Sequence, residues 1–130
     1  ELPLSLYLDL HCPWIRSGPN EASFLVLPPE PYLAAARRLG AILQQLNDSP
    51  VPYTGRHDIA FGVDWNVAPR AGLMTSAGYC REHHSGALRT ALTIETSYSI
   101  SEGAVLTPET ARRFGNALGR ALEQFLREAS

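Results

Sequence analysis

The chain has 130 residues, of which 11 are basic and 13 are acidic, and its formal net charge is −2. This balance creates no basic field, so the composition argues against nucleic acid or an anionic membrane as a partner. With 45% hydrophobic residues and no apolar run near the roughly 20 residues of a membrane span, the sequence predicts one globular domain over residues 1–130.

The first predicted element is a strand that covers residues 2–11. Leucine occupies every second position of it: Leu2, Leu4, Leu6, Leu8 and Leu10. This period is typical of a strand with one packed face, and Asp9 and His11 lie on the other face. Cys12-Pro13 ends the strand, because proline has no N–H for a ladder. We therefore expect His11 at the carboxyl end of a strand, where open α/β sheets bind ligands.

A short apolar run and a helix follow. Residues 22–27 predict a second buried strand, closed by two prolines. A helix is predicted from Pro31 to about Asn47, covering the sheet with one apolar side. That side consists of Tyr32, Leu39, Ile42, Leu43 and Leu46. Residues 47–69 predict an irregular loop, and loops of this length inside a domain are usually functional or mobile.

The second half of the chain predicts a helix over residues 71–83, a strand over 87–98 and a final helix. The strand presents Glu95 on the face opposite Leu92 and Ile94. Thr107-Pro108-Glu109 is a helix start, with an N-cap, a proline and an acid in the first turn, and this helix runs to about residue 128. Alternating strands and helices predict an α/β fold with a mixed, mostly parallel sheet flanked by helices.

Two segments, taken in order, resemble zinc metallocarboxypeptidases of the pancreatic type. Asp9-Leu-His11 resembles the strand that carries the family's third zinc ligand, and residues 92–98, Leu-Thr-Ile-Glu-Thr-Ser-Tyr, resemble the strand that ends in its catalytic glutamate. The segment Gly62-Val-Asp-Trp65 is similar to the one that follows the family's specificity loop. The resemblance implies that His11 binds zinc and that Glu95 is the catalytic general base and acid.

The resemblance covers only the second half of the family's domain. None of the four histidines begins a His-x-x-Glu, the motif that supplies the first two zinc ligands. A catalytic zinc site needs three protein ligands, so we expect this chain alone to be inactive and nearly metal-free. The missing ligands are expected from a preceding segment or a partner chain.

The implied activity is hydrolysis of a C-terminal peptide bond or a related small amide by metal-activated water. Arg16, Tyr53 and Arg56 are the candidates for substrate binding, because an arginine fork binds a carboxylate bidentately and the family's loop carries a tyrosine over the substrate. Two other functions stay open. One is a non-catalytic interaction domain, and the other is an amidase or deacylase of the wider carboxypeptidase-like group.

Each candidate also has an ordinary structural interpretation. His11 could hydrogen-bond to the backbone, and Glu95 could pair with Arg56 or Arg89. The sequence Glu82-His83-His84 predicts a solvated helix end, since neighbouring side chains on a helix diverge. Cys12 and Cys80 are expected as free thiols. A half-domain would expose a sheet edge, which favours a homo-oligomer.

Overall fold

The computed structural model describes residues 3–13, 21–71 and 73–128. In chain order its elements are β1 (Leu6–His11), β2 (Phe24–Val26), α1 (Leu33–Leu46), α2 (Ser76–His83), β3 (Thr90–Glu95), β4 (Ile100–Ser101), β5 (Ala104–Val105) and α3 (Pro108–Arg127). The α/β class predicted from the sequence is confirmed for this part of the chain. No helix within these ranges is both long and apolar enough to cross a membrane.

The main sheet has three strands in the order β1-β3-β2. β1 runs parallel to β3 in a register that begins with Leu6 opposite Thr90 and ends with His11 opposite Glu95. β2 runs antiparallel to β3. The prediction of a mixed sheet is therefore confirmed. The described strands of this sheet form one parallel and one antiparallel pair, so the expectation of a mostly parallel sheet is not confirmed.

One face of this sheet packs against α1 and α3. Because side chains alternate between the faces of a strand, Leu8, Leu92 and Ile94 point the same way and join the core beneath the two helices. The core residues that the helices contribute are Ala36, Leu39, Ile42, Leu43, Phe114, Leu118, Ala121 and Phe125. Their spacing of three and four residues gives each helix one apolar stripe, as the sequence predicts.

α3 begins where the sequence places its start. The Thr107 side chain accepts a hydrogen bond from the N–H of Thr110, and the Thr110 hydroxyl accepts one from the N–H of Thr107. This reciprocal cap satisfies two backbone donors at the helix start. The helical spacing of apolar residues predicts six buried positions in this helix. Of these, Phe114, Leu118, Ala121 and Phe125 are buried, Leu122 is half-buried and Ala111 is exposed.

α2 covers the amino-terminal part of the other sheet face and is shorter than predicted. Ala77 and Cys80 are buried in a small cluster with Ala91, and Tyr7 packs against it. The helix starts at Ser76 because the Thr75 side chain accepts a hydrogen bond from Gly78 N–H and so acts as the N-cap. The expectation of a helix from residue 71 is therefore wrong.

A small hairpin follows β3, and the sequence analysis does not predict it. β4 and β5 pair antiparallel across Glu102 and Gly103, whose φ angles are 47° and 86°. Two consecutive residues with positive φ form the turn whose twist matches that of paired strands. The strand that the sequence predicts to residue 98 ends at Glu95, and the hairpin begins at Ile100.

Phe125 belongs to the main hydrophobic core, so its substitution tests how α3 packs. The ring is fully buried, and the Arg89 guanidinium lies 3.8 Å from its centroid. We expect Phe125→Ala to lower the free energy of unfolding by about 3–5 kcal/mol in denaturant titration, because it leaves a cavity and removes the cation–π contact. Leu126→Ala, at a neighbouring residue that is 41% exposed, should cost less than about 1 kcal/mol. Equal losses would contradict this packing.

Candidate active site at the ends of β1 and β3

His11 and Glu95 are the last residues of two neighbouring strands. They are register partners in the parallel pair, so their backbones lie one strand spacing apart, about 4.8 Å. Alternation along parallel strands puts both side chains on the same face of the sheet. The ladder continues one step further, with Thr96 N–H donating to the His11 carbonyl at 2.9 Å. The two side chains predicted from the sequence as metal ligand and general base are thus brought together.

A second register pair lies directly behind them. Asp9 is opposite Thr93, and the Thr93 hydroxyl donates to Asp9 Oδ2 at 3.5 Å. The same carboxylate oxygen lies 3.6 Å from His11 Nδ1. Asp9, which lies two residues before His11 on the same face of β1, is therefore placed to orient the imidazole. With Nδ1 turned toward Asp9, the Nε2 atom of the ring is the one available to a ligand.

Exposure differs sharply across this group. The His11 side chain is 62% exposed and that of Asp9 is 29% exposed, whereas Glu95 is only 6% exposed. Phe24, itself buried, is the register partner of Glu95 on the β2 side. The imidazole consequently lies at the surface, and the carboxylate is held inside next to it.

Glu95 is an unusual carboxylate. Its Oε2 atom is buried and has no hydrogen-bond partner within residues 3–13, 21–71 and 73–128. Burial raises the pKa of Glu95 above its ordinary value of 4.5, the nearby Asp9 raises it further, and His11 partly opposes the rise. Burying an ionised group without a partner is costly, so this environment favours a carboxylate that readily accepts a proton. Such a group is suited to general base chemistry.

The two arginines considered as partners for Glu95 are engaged elsewhere. Arg56 forms an ion pair with Glu102 and donates from Nε to His57 Nε2 at 2.9 Å. Arg89 donates to the Phe125 carbonyl. The pairs with Arg56 and Arg89 that the sequence left open for Glu95 therefore do not form.

Of the three residues predicted to bind substrate, the two that the structure describes are not assembled around His11. Arg16 lies outside the described residues. Arg56 has the partners given above. Tyr53 is 3% exposed and donates from Oη to Asp58 Oδ2 at 2.9 Å. The structure therefore gives Tyr53 a place in the core rather than over a substrate.

Tyr53 and Asp58 together attach the long loop to the sheet, which the sequence analysis does not predict. Asp58 Oδ1 accepts a hydrogen bond from the N–H of Leu25 at 2.8 Å. A Cβ atom at Gly40 of α1 would lie 2.6 Å from Tyr53 Oη, so the missing side chain makes room for the phenol. Burial raises the pKa of Asp58, although its two hydrogen bonds oppose this. The only sequence signal for this role is a lone acidic residue before the apolar run at residues 59–61.

The other candidate ligands do not form a metal site. Among the described residues, no three His, Cys, Asp or Glu side chains are grouped so that they could hold a metal ion. His83 stacks against Tyr79 with ring centroids 4.3 Å apart, and Glu82 and His84 are exposed beside it, as expected for a solvated helix end. Cys12 and Cys80 are both free thiols, the first exposed and the second buried.

Comparison of the chain with protein-family models, with curated proteins and with solved structures finds no match. The function is therefore inferred from the geometry of the site and from the sequence resemblance.

The raised pKa of Glu95 makes a prediction about stability. A carboxyl whose pKa is higher in the folded state binds protons more tightly there, so stability falls as the pH rises from about 4.5 through the raised pKa. We expect Glu95→Gln to be more stable than wild type at pH 7 by on the order of 1 kcal/mol, with the gain vanishing below pH 4, roughly. Urea titrations across this pH range measure it.

The control for this experiment is Glu82→Gln, which removes an exposed carboxylate at the end of α2. It should leave the pH profile of stability unchanged. A Glu95→Gln variant that is less stable than wild type at pH 7 would mean that the ionised carboxylate is stabilised by an interaction the described structure lacks.

Proposed function

We propose that this chain forms one side of the active site of a zinc-dependent, carboxypeptidase-like hydrolase. The observation that carries the proposal is the register pair of His11 and Glu95 at the carboxyl ends of two parallel strands. This arrangement agrees with the roles that the sequence resemblance implies for the two residues. It also agrees with the general position of ligand sites in open α/β sheets.

The residues fit one part of a zinc site. The His11 imidazole is exposed, and its Nδ1 atom faces a carboxylate, an arrangement that frequently orients zinc-binding histidines. The described residues offer no complete ligand set. We therefore propose that His11 supplies one ligand and that the others come from outside the described residues, on the same protein or on a partner chain. When bound, zinc would supply a Lewis acid that polarises the scissile carbonyl and lowers the pKa of water.

Glu95 would carry the proton in this reaction. Its buried Oε2 accepts no hydrogen bond from the described residues, so none of these bonds has to break before it accepts a proton from the attacking water. The same oxygen would then hold the proton and donate it to the leaving amine nitrogen. The raised pKa of Glu95 supports both steps, since the protonated state costs less than at an exposed glutamate.

The substrate class that we propose is a peptide with a free C-terminal carboxylate. An acyl amide is the alternative, because Arg56 is paired with Glu102 and Tyr53 is buried, so neither is free to hold a substrate carboxylate. A panel of peptides with free and blocked C-termini, assayed beside acyl amides, distinguishes the two classes.

The test uses the native protein together with any segment or partner that completes the zinc site. We expect Glu95→Gln to lower kcat by about 10²- to 10⁴-fold with zinc content unchanged, because only proton transfer is lost. His11→Ala should lower the zinc content itself. Metal analysis and initial rates measure the two effects separately.

His84→Ala is the matched control, since it removes an exposed histidine far along the chain from His11. It should change neither the rate nor the zinc content. Full activity of Glu95→Gln would refute the proposed role of the carboxylate. Stoichiometric, tight zinc binding by this chain alone would refute the division of ligands.

A further inference from the structure

A cavity of about 260 Å³ lies on the leucine face of the sheet, near the carboxyl ends of β1 and β3. The buried side chains of Ile94, Phe114 and Leu118 line it. Ile94 follows β3 on the face opposite Glu95, so the cavity opens on the other side of the sheet from that carboxylate. It therefore opens on the face opposite Glu95, and His11, at the end of β1, borders both sites.

Small residues of α3 form part of the cavity wall. Ala111 and Gly115 are one helical turn apart, and both are exposed. A Cβ atom built at Gly115 would meet no other atom within 4 Å, so the space beside this residue is empty. Leu10, which lines the same cavity, is 69% exposed, although the sequence predicts that the leucine face of this strand is packed.

The residues that line the cavity determine which class of molecule it can bind. No carboxylate or guanidinium occurs among the described residues that line the cavity, and its polar groups are those of His11, Cys12 and Thr96. Ligand pockets have this character, with apolar walls and a few polar groups that orient the ligand. A cavity of about 150 Å³ with apolar walls is sufficient for benzene, so the present volume admits a larger ring system.

We infer that this cavity is a binding site for a small, neutral, apolar molecule of about the size of indole. The ring would lie against Phe114, Leu118 and Ile94, and it would cover the exposed side chain of Leu10. A single polar N–H or O–H of the guest would face Thr96. This inference is independent of the proposed hydrolase function, because it requires neither zinc nor Glu95.

Indole itself is the probe. Titrated into the full chain, it should shift the backbone amide resonances of Thr96, Phe114 and Gly115 in two-dimensional NMR spectra. We expect Gly115→Leu to weaken the dissociation constant by about tenfold or more, because the new side chain occupies the cavity. Gly119→Leu is the matched control. It makes the same change one turn along α3, where a Cβ also meets nothing within 4 Å, and it should alter the constant by less than about twofold.

Both variants replace a helical glycine with a good helix former, so both should fold at least as well as wild type. If Gly115→Leu fails to fold, Ala111→Leu fills the same cavity from the preceding turn and provides the same comparison. Indole that shifts only resonances remote from the cavity, or that binds the filled and control variants equally, would overturn the inference.

Discussion

The parallel pairing of β1 with β3 is the constraint on which the rest of this structure depends. A shift of one residue in this register would turn Asp9 and His11 toward the hydrophobic core and the leucines toward solvent. Burial of Leu8 beneath α1 and α3 opposes such a shift. The same packing that stabilises the fold therefore keeps His11 beside Glu95.

The buried position of Glu95 lowers the stability of the folded state and also suits the residue to proton transfer. A buried carboxylate oxygen that finds no hydrogen-bond partner in the described part of the chain destabilises the folded state, and the surrounding sheet has to compensate for it. Positions that conflict with local energetics in this way occur often at functional sites. Asp9 raises the pKa of Glu95 and His11 lowers it, so both neighbours influence whether this carboxyl is ionised.

Much of the fold follows from local sequence signals. Period-two leucines predict β1, and the cap at Thr107 predicts the start of α3, because both signals arise from residues close together in the chain. The hairpin at Glu102 has no such signal, since strands of two residues show no periodicity and glutamate is uncommon at positive φ.

Local sequence signals also predict part of the candidate site. Strand ends and alternation indicate that His11 and Glu95 share an edge, and the structure brings them together. The sequence could not show that Tyr53 bonds to Asp58 or that Arg56 pairs with Glu102, because these contacts depend on how the long loop folds back on the sheet. Leu10 differs from its neighbours for the same reason, as its exposure depends on what lies beyond the strand end.

The position of the two strands within the sheet gives the site unequal rigidity. β3 is hydrogen-bonded on both sides, whereas β1 has β3 as its one neighbour among the described strands. Central strands open only with the whole domain, and edge strands fray at lower free energy, so amide protons of β3 should exchange with solvent more slowly than those of β1. Glu95 thus lies on the strand whose amides should exchange more slowly, and His11 lies on an edge strand that can adjust around an incoming partner.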